Sequence, residues 1–352
     1  MGELTIKDIA RMAGVSHTTV SRSLNGARNV KPETYAKIME ICQQTGFTRN
    51  AAARQLKKHE AKSIGIVVPD ISNAFFAELI HNIEWDVKQR GFNCFISSSF
   101  YDYNIEDQNI QALLERRVDG VIISGVGDRT YLGLQKYLDK LPILFLGDNI
   151  PDHLVSKITV DGYNGIVKGA RYLLSLGHRN LAFLGGRETS LTHQRRRQAF
   201  LDVMQRTVGV KYEVFTITPG SRIEDGYQTG MAYFGRCMEK GTPCATAIMT
   251  INDHFALGTI QAAMEFGIDI PQQVSLIGFD DVAFAALPKI QLTTLAQPKE
   301  ELCALAVETL MKLIGHEERK IYHEVIQPEL IRRETCVPPR QKQSHGNGEE
   351  IP

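Results

Sequence analysis

The stretch from residue 4 to residue 26 (LTIKDIARMAGVSHTTVSRSLNG) constrains this chain most, because its pattern predicts a helix-turn-helix. Thr5 is placed to cap a first helix, with Asp8 as the acidic member of a capping box. The break at Gly14 redirects the chain, and Ser16 is placed to cap a second helix. The exposed face of the second helix predicts contacts with base edges in a DNA major groove.

The polar side chains of the second helix differ in length and in the DNA groups that they can contact. Arg22 carries a planar fork that matches O6 and N7 of guanine, whereas His17 and Thr18 reach only a short distance. Three hydroxyl side chains suit phosphate contacts and capping better than sequence reading; they are Ser16, Thr19 and Ser21. Asn25, followed by glycine, ends the helix. An ordinary pair of core helices with a polar outer face is the alternative interpretation.

The sequence resembles the LacI/GalR family of bacterial transcription regulators, and the resemblance continues to about residue 335. Residues 13–26 (AGVSHTTVSRSLNG) are close to the DNA-binding signature of the family, and residues 32–45, closed by Gly46, match the third helix of its headpiece. The resemblance implies a small all-α helix-turn-helix headpiece at 1–48, in which Thr5 and Asn25 join the DNA-binding residues. It also implies an α/β body of two doubly wound parallel-sheet subdomains resembling periplasmic binding proteins.

Residues 49–60 are expected to form a hinge, and 49–56 (RNAAARQL) resemble that of the family. Asn50 is placed to cap a helix with Ala53 and Leu56 on one face, and Lys57 adds positive charge. Because so short a helix is marginal alone, it should form only with support. In the family it forms against its dimer mate in the minor groove, where the matching leucine wedges between base pairs. A flexible linker with an incidental leucine is the alternative.

Charge is unevenly distributed along the 352 residues, although the formal net charge is zero. Residues 1–62 hold eleven Lys and Arg against five acids, so the remainder is mildly acidic. A basic head suits a module that contacts phosphate. The six cysteines show no metal-ligand spacing, so neither a metal site, a cofactor nor a disulfide framework is indicated. With no signal-peptide or membrane-span pattern, we expect a bacterial cytoplasmic, nucleoid-associated protein.

Alternating strands and helices after the hinge predict parallel sheets covered by helices on both faces. One series begins with the strand at 64–69 (IGIVVP), and a second begins near residue 161. The resemblance implies three crossings between the subdomains. The N-subdomain is expected at 61–160 and 292–324, and the C-subdomain at 161–291 and 325–336. The polar residues 337–352 are predicted to be disordered.

The effector site is expected in the cleft between the subdomains, at the carboxyl ends of strands. Polar and aromatic residues follow several predicted strands in motifs similar to those of the family; the candidates are Asn73, Phe75, Phe76, Asp148, Arg196, Ser221, Asn252, Asp280 and Gln297. In sugar-binding members, residues matching Arg196, Asn252 and Asp280 bond ligand hydroxyls. Asn252 acting only as a helix cap and Asp280 only fixing a turn are the alternatives.

One departure from the family concerns the segment before 224–230 (EDGYQTG), where many relatives place a stacking aromatic side chain. This chain has Ser221 and Arg222 there, which puts the stacking interaction in doubt and allows an anionic sugar or sugar acid.

The pattern as a whole predicts a non-enzymatic, homodimeric repressor that binds a pseudo-palindromic operator and is released by a sugar or sugar derivative. A corepressor-dependent regulator is the alternative, and a transport-type sugar receptor would need an export signal. An α/β enzyme lacks support, because no phosphate-binding or nucleophile motif is present.

Overall fold

The computed structural model describes residues 4–24, 30–47, 61–125, 127, 130–148, 150–151, 153–315 and 320–340. The chain divides into two compact units, residues 1–61 and 62–352. Some predictions fall outside the described residues: the DNA-binding role of Asn25 and the end of the recognition helix at 25–26, the hinge helix with Asn50, Ala53, Leu56 and Lys57, and residues 341–352 of the tail predicted at 337–352. At the start of that tail, the Val337 N–H donates to Ser275 Oγ at 3.0 Å.

The described part of the first unit contains three helices, α1 (Ile6–Ala13), α2 (His17–Leu24) and α3 (Pro32–Thr45). The predicted capping box is confirmed, since the Thr5 N–H donates to Asp8 Oδ2 at 3.0 Å and the Asp8 N–H donates to Thr5 Oγ1 at 3.4 Å. The Thr19 N–H donates to Ser16 Oγ at 3.1 Å, which confirms the second cap. Gly14 makes the intervening turn with φ of +71°, a conformation that glycine adopts without strain.

A small apolar core joins these three helices. Its buried members come one turn apart on each helix, as the helical spacing predicts; they are Ile9, Ala10, Ala13, Val20, Ile38 and Cys42. The polar faces of α1 and α2 point away from this core.

Two six-stranded sheets form the second unit. The first has the order β11-β5-β4-β3-β1-β2, all parallel, with the strands β1 (Ser63–Val68), β2 (Asn93–Ser98), β3 (Gly120–Ile123), β4 (Ile143–Leu146), β5 (Ser156–Val160) and β11 (His323–Ile326). The second has the order β12-β10-β9-β8-β6-β7, with β6 (Asn180–Leu184), β7 (Lys211–Phe215), β8 (Ala247–Thr250), β9 (Ser275–Asp280), β10 (Thr293–Ala296) and β12 (Glu329–Ile331). Only β12 runs antiparallel to its neighbour in the described sheets.

Helices cover both sheets, so the predicted class of two parallel-sheet α/β subdomains is confirmed. The helices that belong to the subdomain of the first sheet are α4 (Ala74–Gln89), α5 (Tyr103–Glu115), α6 (Thr130–Leu134) and, later in the chain, α11 (Lys299–Ile314). Those of the second are α7 (Gly162–Ser175), α8 (Leu191–Gln205), α9 (Ile223–Glu239) and α10 (Asp253–Glu265), with a 3₁₀ turn at Ala283–Ala286.

The crossings between the subdomains differ from two of the expected boundaries. The expected boundary at 292 places strand β10 (Thr293–Ala296) in the N-subdomain. The strand instead pairs with β9 of the second sheet, as far as Ala296 opposite Asp280. Likewise β11 stays in the first sheet until Ile326, opposite Val160, which moves the last crossing beyond 325. In both places, hydrogen bonding continues the strand past the crossing that the family resemblance implied.

Helices α9 and α10 approach each other closely, because glycines line their contact. A Cβ built on Gly258 would lie 2.0 Å from the carbonyl oxygen of Ile223, and one on Gly226 would lie 2.2 Å from that of Phe255. No side chain fits at either position without separating the helices. Within the described residues, no helix combines the length and the apolar character that a membrane crossing requires.

Candidate functional sites

The second helix of the headpiece exposes the side chains predicted to read DNA. His17, Thr18 and Arg22 are exposed, and Ser21 is half-buried. Arg22 forms no ion pair within the described part of the chain, so its guanidinium is free to donate to a base. The hydroxyls of Thr5 and Ser16 act as helix caps, which fixes the first turns of α1 and α2.

A cavity of about 150 Å³ lies between the two subdomains of the second unit. Its lining includes all nine residues that sequence analysis proposed for the effector site, namely Asn73, Phe75, Phe76, Asp148, Arg196, Ser221, Asn252, Asp280 and Gln297. They come together because β1, β4, β8, β9 and β10 end at this cleft, and each of these strands is followed by one or more of them.

Arg196 lies in α8 and is almost fully buried, with 6% of its surface exposed. Its Nη1 donates to the Ile251 carbonyl at 2.7 Å, and its guanidinium carbon lies 3.5 Å from the centre of the Phe279 ring. Its Nη2 is 3.8 Å from Asp280 Oδ1. The Nε has no hydrogen-bond partner although it is buried. The hydrogen bonds of this guanidinium are therefore incompletely satisfied within the protein.

Asp280 ends β9 and adopts a φ of +115°, which is unusual for a residue with a side chain. It accepts a hydrogen bond from Gln297 Nε2 at 2.6 Å. Burial raises the pKa of Asp280 to about 6, and this effect outweighs the opposing effect of Arg196. At neutral pH the carboxylate is ionised, and an ionised carboxylate only accepts hydrogen bonds.

Asn73 and Asn252 each cap a helix with the side-chain oxygen. The Phe75 N–H donates to Asn73 Oδ1 at 3.0 Å, and the Phe255 N–H donates to Asn252 Oδ1 at 2.9 Å. The capping role that the sequence left open for Asn252 is therefore present. Because a cap uses only the oxygen, the amide NH₂ group of each remains to donate to a ligand.

The remaining predicted side chains contribute an acid and an apolar wall. Asp148 accepts from Arg195 Nη1 at 3.0 Å, so its charge is already paired. Phe75 and Phe76 form an edge-to-face pair with centroids 5.4 Å apart. These rings offer the flat apolar surface on which a sugar ring packs.

Sequence reasoning missed several polar side chains of the cavity, among them Tyr101, Arg187, Ser190 and His193. Tyr101 follows β2 and Arg187 follows β6, so the strand-end rule used for the other residues would have found both. The Arg187 N–H donates to His193 Nδ1 at 2.9 Å. Burial, with Arg196 and Arg187 nearby, lowers the pKa of His193 to about 3. The ring is therefore neutral and carries its proton on Nε2.

Several contacts join the two subdomains across the cleft. Arg222 Nη2 lies 3.2 Å from Asp70 Oδ2, and Tyr101 hydrogen-bonds Ser221. The Ala74 N–H donates to His254 Nε2 at 3.3 Å. Arg222 thus forms a rim contact where many family members carry an aromatic side chain. In the described residues, no three His, Cys, Asp or Glu side chains are grouped to hold a metal ion.

A three-helix DNA-reading unit and a two-lobed ligand-binding unit on one chain define the class of ligand-responsive DNA-binding regulators. Residues 5–50 match the family described as bacterial regulatory proteins, lacI family, and residues 170–336 match the periplasmic binding protein-like domain. The chain belongs to the LacI family of bacterial regulatory proteins and is a DNA-binding transcriptional repressor.

Relatives match almost the whole chain. It is 31% identical over 337 residues to the HTH-type transcriptional regulator DegA of Bacillus subtilis, covering 95% of this chain and 98% of DegA. It is 30% identical over 332 residues to the ribose operon repressor of Haemophilus influenzae, covering 94% and 98%. A crystal structure of the lac repressor dimer bound to operator and the anti-inducer ONPF superposes with a TM-score of 0.81 at 25% identity, covering 96% and 100%.

Proposed function

We propose that this repressor binds a pseudo-palindromic operator as a homodimer and is released by a polyhydroxylated small molecule, a sugar or sugar derivative, that binds the cleft cavity. The observation that carries the proposal is the composition of the cavity. Ionised Asp280, the amides of Asn252 and Gln297 and the guanidinium of Arg196 offer acceptors and donors beside two phenyl rings. Adjacent hydroxyls on a ring require this mixture.

Homodimer formation is supported by apolar side chains exposed on two neighbouring elements, helix α4 and the edge strand β2 with the loop after it. Trp85, Ile96 and Phe100 are 65%, 42% and 64% exposed. Such side chains on adjacent elements are typical of an interface. Sedimentation equilibrium tests this: Trp85→Glu should produce monomers, and a dimer unaffected by charge at this position would place the interface elsewhere.

The DNA-binding part of the proposal rests on the exposed face of α2 and the basic charge of residues 1–62. Bound duplexes are selected from a randomised pool, and their sequences are compared with their own reverse complements. Two half-sites related by a dyad are expected, because two headpieces on one two-fold axis read two half-sites. Binding should weaken steeply with salt through counterion release. Recovery of a single asymmetric site would contradict a symmetric dimer.

The effector part is tested with the full-length protein and the selected operator. Sugars, sugar acids, sugar phosphates and nucleobases are screened by thermal shift, because any ligand of the folded state raises its stability. Each compound that binds is then titrated into the protein–operator complex. Release of the operator identifies an inducer, and tighter binding identifies a corepressor. Response to a nucleobase but to no carbohydrate would overturn the sugar proposal.

We also infer that the cleft binds its ligand without turnover, in a protein that acts on cytoplasmic DNA. The support is that the two acidic side chains lining the cavity are each paired with an arginine, Asp280 with Arg196 and Asp148 with Arg195. Prolonged incubation with the effector, followed by mass spectrometry, should recover the compound unchanged. A stoichiometric excess of product would show catalysis.

A further inference from the structure

Arg187 lines the cleft cavity directly after the carboxyl end of β6. Its guanidinium carbon lies 3.9 Å from the centre of the Tyr101 ring. Its Nε is buried and has no hydrogen-bond partner. A buried guanidinium N–H without an acceptor is unfavourable, so this geometry favours a ligand that supplies one.

The other arginines around the cavity each have a carboxylate. Arg196 lies 3.8 Å from Asp280, and Arg195 lies 3.0 Å from Asp148. At the rim, Arg222 lies 3.2 Å from Asp70. Among the described residues, no carboxylate oxygen lies within 4 Å of Arg187. The cavity therefore contains one positive charge for which the described protein has no counter-ion.

Two further donors belong to the same end of the cavity, at the amino-terminal end of α8. His193 carries a proton on Nε2, because its Nδ1 accepts the Arg187 N–H. Ser190 Oγ accepts the His193 N–H at 3.4 Å, so its own proton is free to be donated. The amino terminus of a helix also favours negative charge. The opposite end, with Asp280 and Gln297, suits hydroxyl groups instead.

We propose that the effector is an anionic carbohydrate whose carboxylate or phosphate lies against Arg187, Ser190 and His193, with its hydroxyls toward Asp280. This inference rests on the proposed function, since it specifies the ligand of the same cavity. A guanidinium fork binds carboxylate and phosphate oxygens alike. A sugar acid and a sugar phosphate therefore share the chemistry, and separate arms of the experiment distinguish them.

The experiment uses isothermal titration of the full-length protein with matched series: D-glucose, D-glucuronate and D-glucose 6-phosphate, and the corresponding galactose and ribose compounds. One acidic member should bind about 10- to 100-fold more tightly than its neutral parent. This is the gain in affinity that one charge-assisted hydrogen-bonded contact provides. The acid and phosphate arms identify which anion is recognised. A neutral sugar that binds as tightly as its acidic counterparts overturns the inference.

Arg187→Gln should reduce that preference to less than about threefold, because the acidic compound loses far more affinity than its neutral parent. Arg187→Lys should restore part of the preference, because a lysine keeps the charge but loses the fork. The matched control is Arg197→Gln, since Arg197 lies on α8 and pairs with the exposed Glu188. It should keep the full preference. Equal melting temperatures of the variants exclude unfolding as the cause, and an unchanged preference in Arg187→Gln overturns the assignment.

Operator binding is measured in parallel to separate this inference from the proposed function. A neutral sugar that binds and releases the operator equally well in wild type and Arg187→Gln leaves the proposed function intact and removes the anionic subsite. An acidic sugar that binds through Arg187 but never changes operator affinity supports the subsite and overturns the effector role of the cavity.

Discussion

Arg196 Nη2 and Asp280 Oδ1 face each other across 3.8 Å at the carboxyl end of β9, and both side chains are more than nine-tenths buried. The arginine comes from helix α8 and the aspartate from the end of a strand, so their pairing depends on the packing of the second subdomain. Burial of two opposite charges without full hydrogen bonding contributes little stability. The pair therefore fits the effector site proposed above better than a purely stabilising role.

Replacing Arg196 with alanine should abolish the response to the effector while keeping operator affinity. An effector shifts an equilibrium only through its differential affinity, typically about 1–3 kcal/mol, and a hydrogen bond to a charged group is worth about 1.5–3 kcal/mol. The measurement is an effector titration of the operator complex. Arg197→Ala is the control, because that side chain pairs with exposed Glu188. An unchanged midpoint in Arg196→Ala would falsify this placement of the site.

Asp280→Asn should change how stability depends on pH. The folded pKa of Asp280, about 6, lies above the ordinary value of 3.8, so the folded state holds the proton more tightly. The free energy of unfolding of the wild type should therefore fall as pH rises from about 4 to about 6, by roughly 2–3 kcal/mol for a buried group. Denaturant unfolding at several pH values should show the variant gaining relative to wild type over that window. A difference in unfolding free energy between variant and wild type that stays constant across these pH values would contradict this expectation.

Gly258→Ala should destabilise the second unit, because its Cβ would meet the Ile223 carbonyl at 2.0 Å. Overpacking against backbone costs at least about 1–3 kcal/mol. The matched control is Gly235→Ala in α9, whose Cβ would lie 3.5 Å from the Phe266 ring. That change should be neutral or stabilise by about 0.5–1 kcal/mol through helix propensity. Thermal unfolding compares the two, and equal melting temperatures would refute the close-packing argument.

Arg22→Ala should remove discrimination between operator and unrelated DNA while largely preserving non-specific binding. The guanidinium is exposed on α2 and suits a guanine edge, and losing such a contact costs about 1–3 kcal/mol at one base pair. Lys57→Ala, in the hinge segment, is predicted to weaken binding to all DNA sequences equally, because a phosphate contact does not depend on the bases. Affinity measured on a set of single-base operator variants separates the two effects. Identical specificity profiles would refute the division.

Sequence reasoning located side chains well where a local rule applies. Thr5 and Asp8 follow the capping-box spacing, and Asn73 and Asn252 directly follow buried strands, so their positions were predictable from pattern alone. It performed less well at sheet edges. Strand β7 (KYEVF) and strand β11 (HEVI) are short and lie largely exposed or half-buried, and neither was predicted. Apolar patterning is weak in such strands because only hydrogen bonding to a neighbour defines them.

The pairing of charges across the cavity was also beyond the sequence. Arg195, Arg196 and Arg197 are consecutive, yet they contact Asp148, Asp280 and Glu188 respectively. Successive helix positions point about 100° apart, so three neighbours meet three different surroundings. Which carboxylate each one meets depends on tertiary packing, and so does the finding that Arg187 meets none among the described residues.

The ion pair between Arg222 and Asp70 at the rim has a kinetic consequence. It joins the two subdomains, with Asp70 largely buried. If opening of this contact limits ligand entry, the observed association rate should level off at high ligand concentration, at the rate of opening. Stopped-flow fluorescence with Arg222→Ala should raise that plateau. The residue that replaces the family's aromatic side chain would then determine how quickly the repressor senses its effector as well as what it binds.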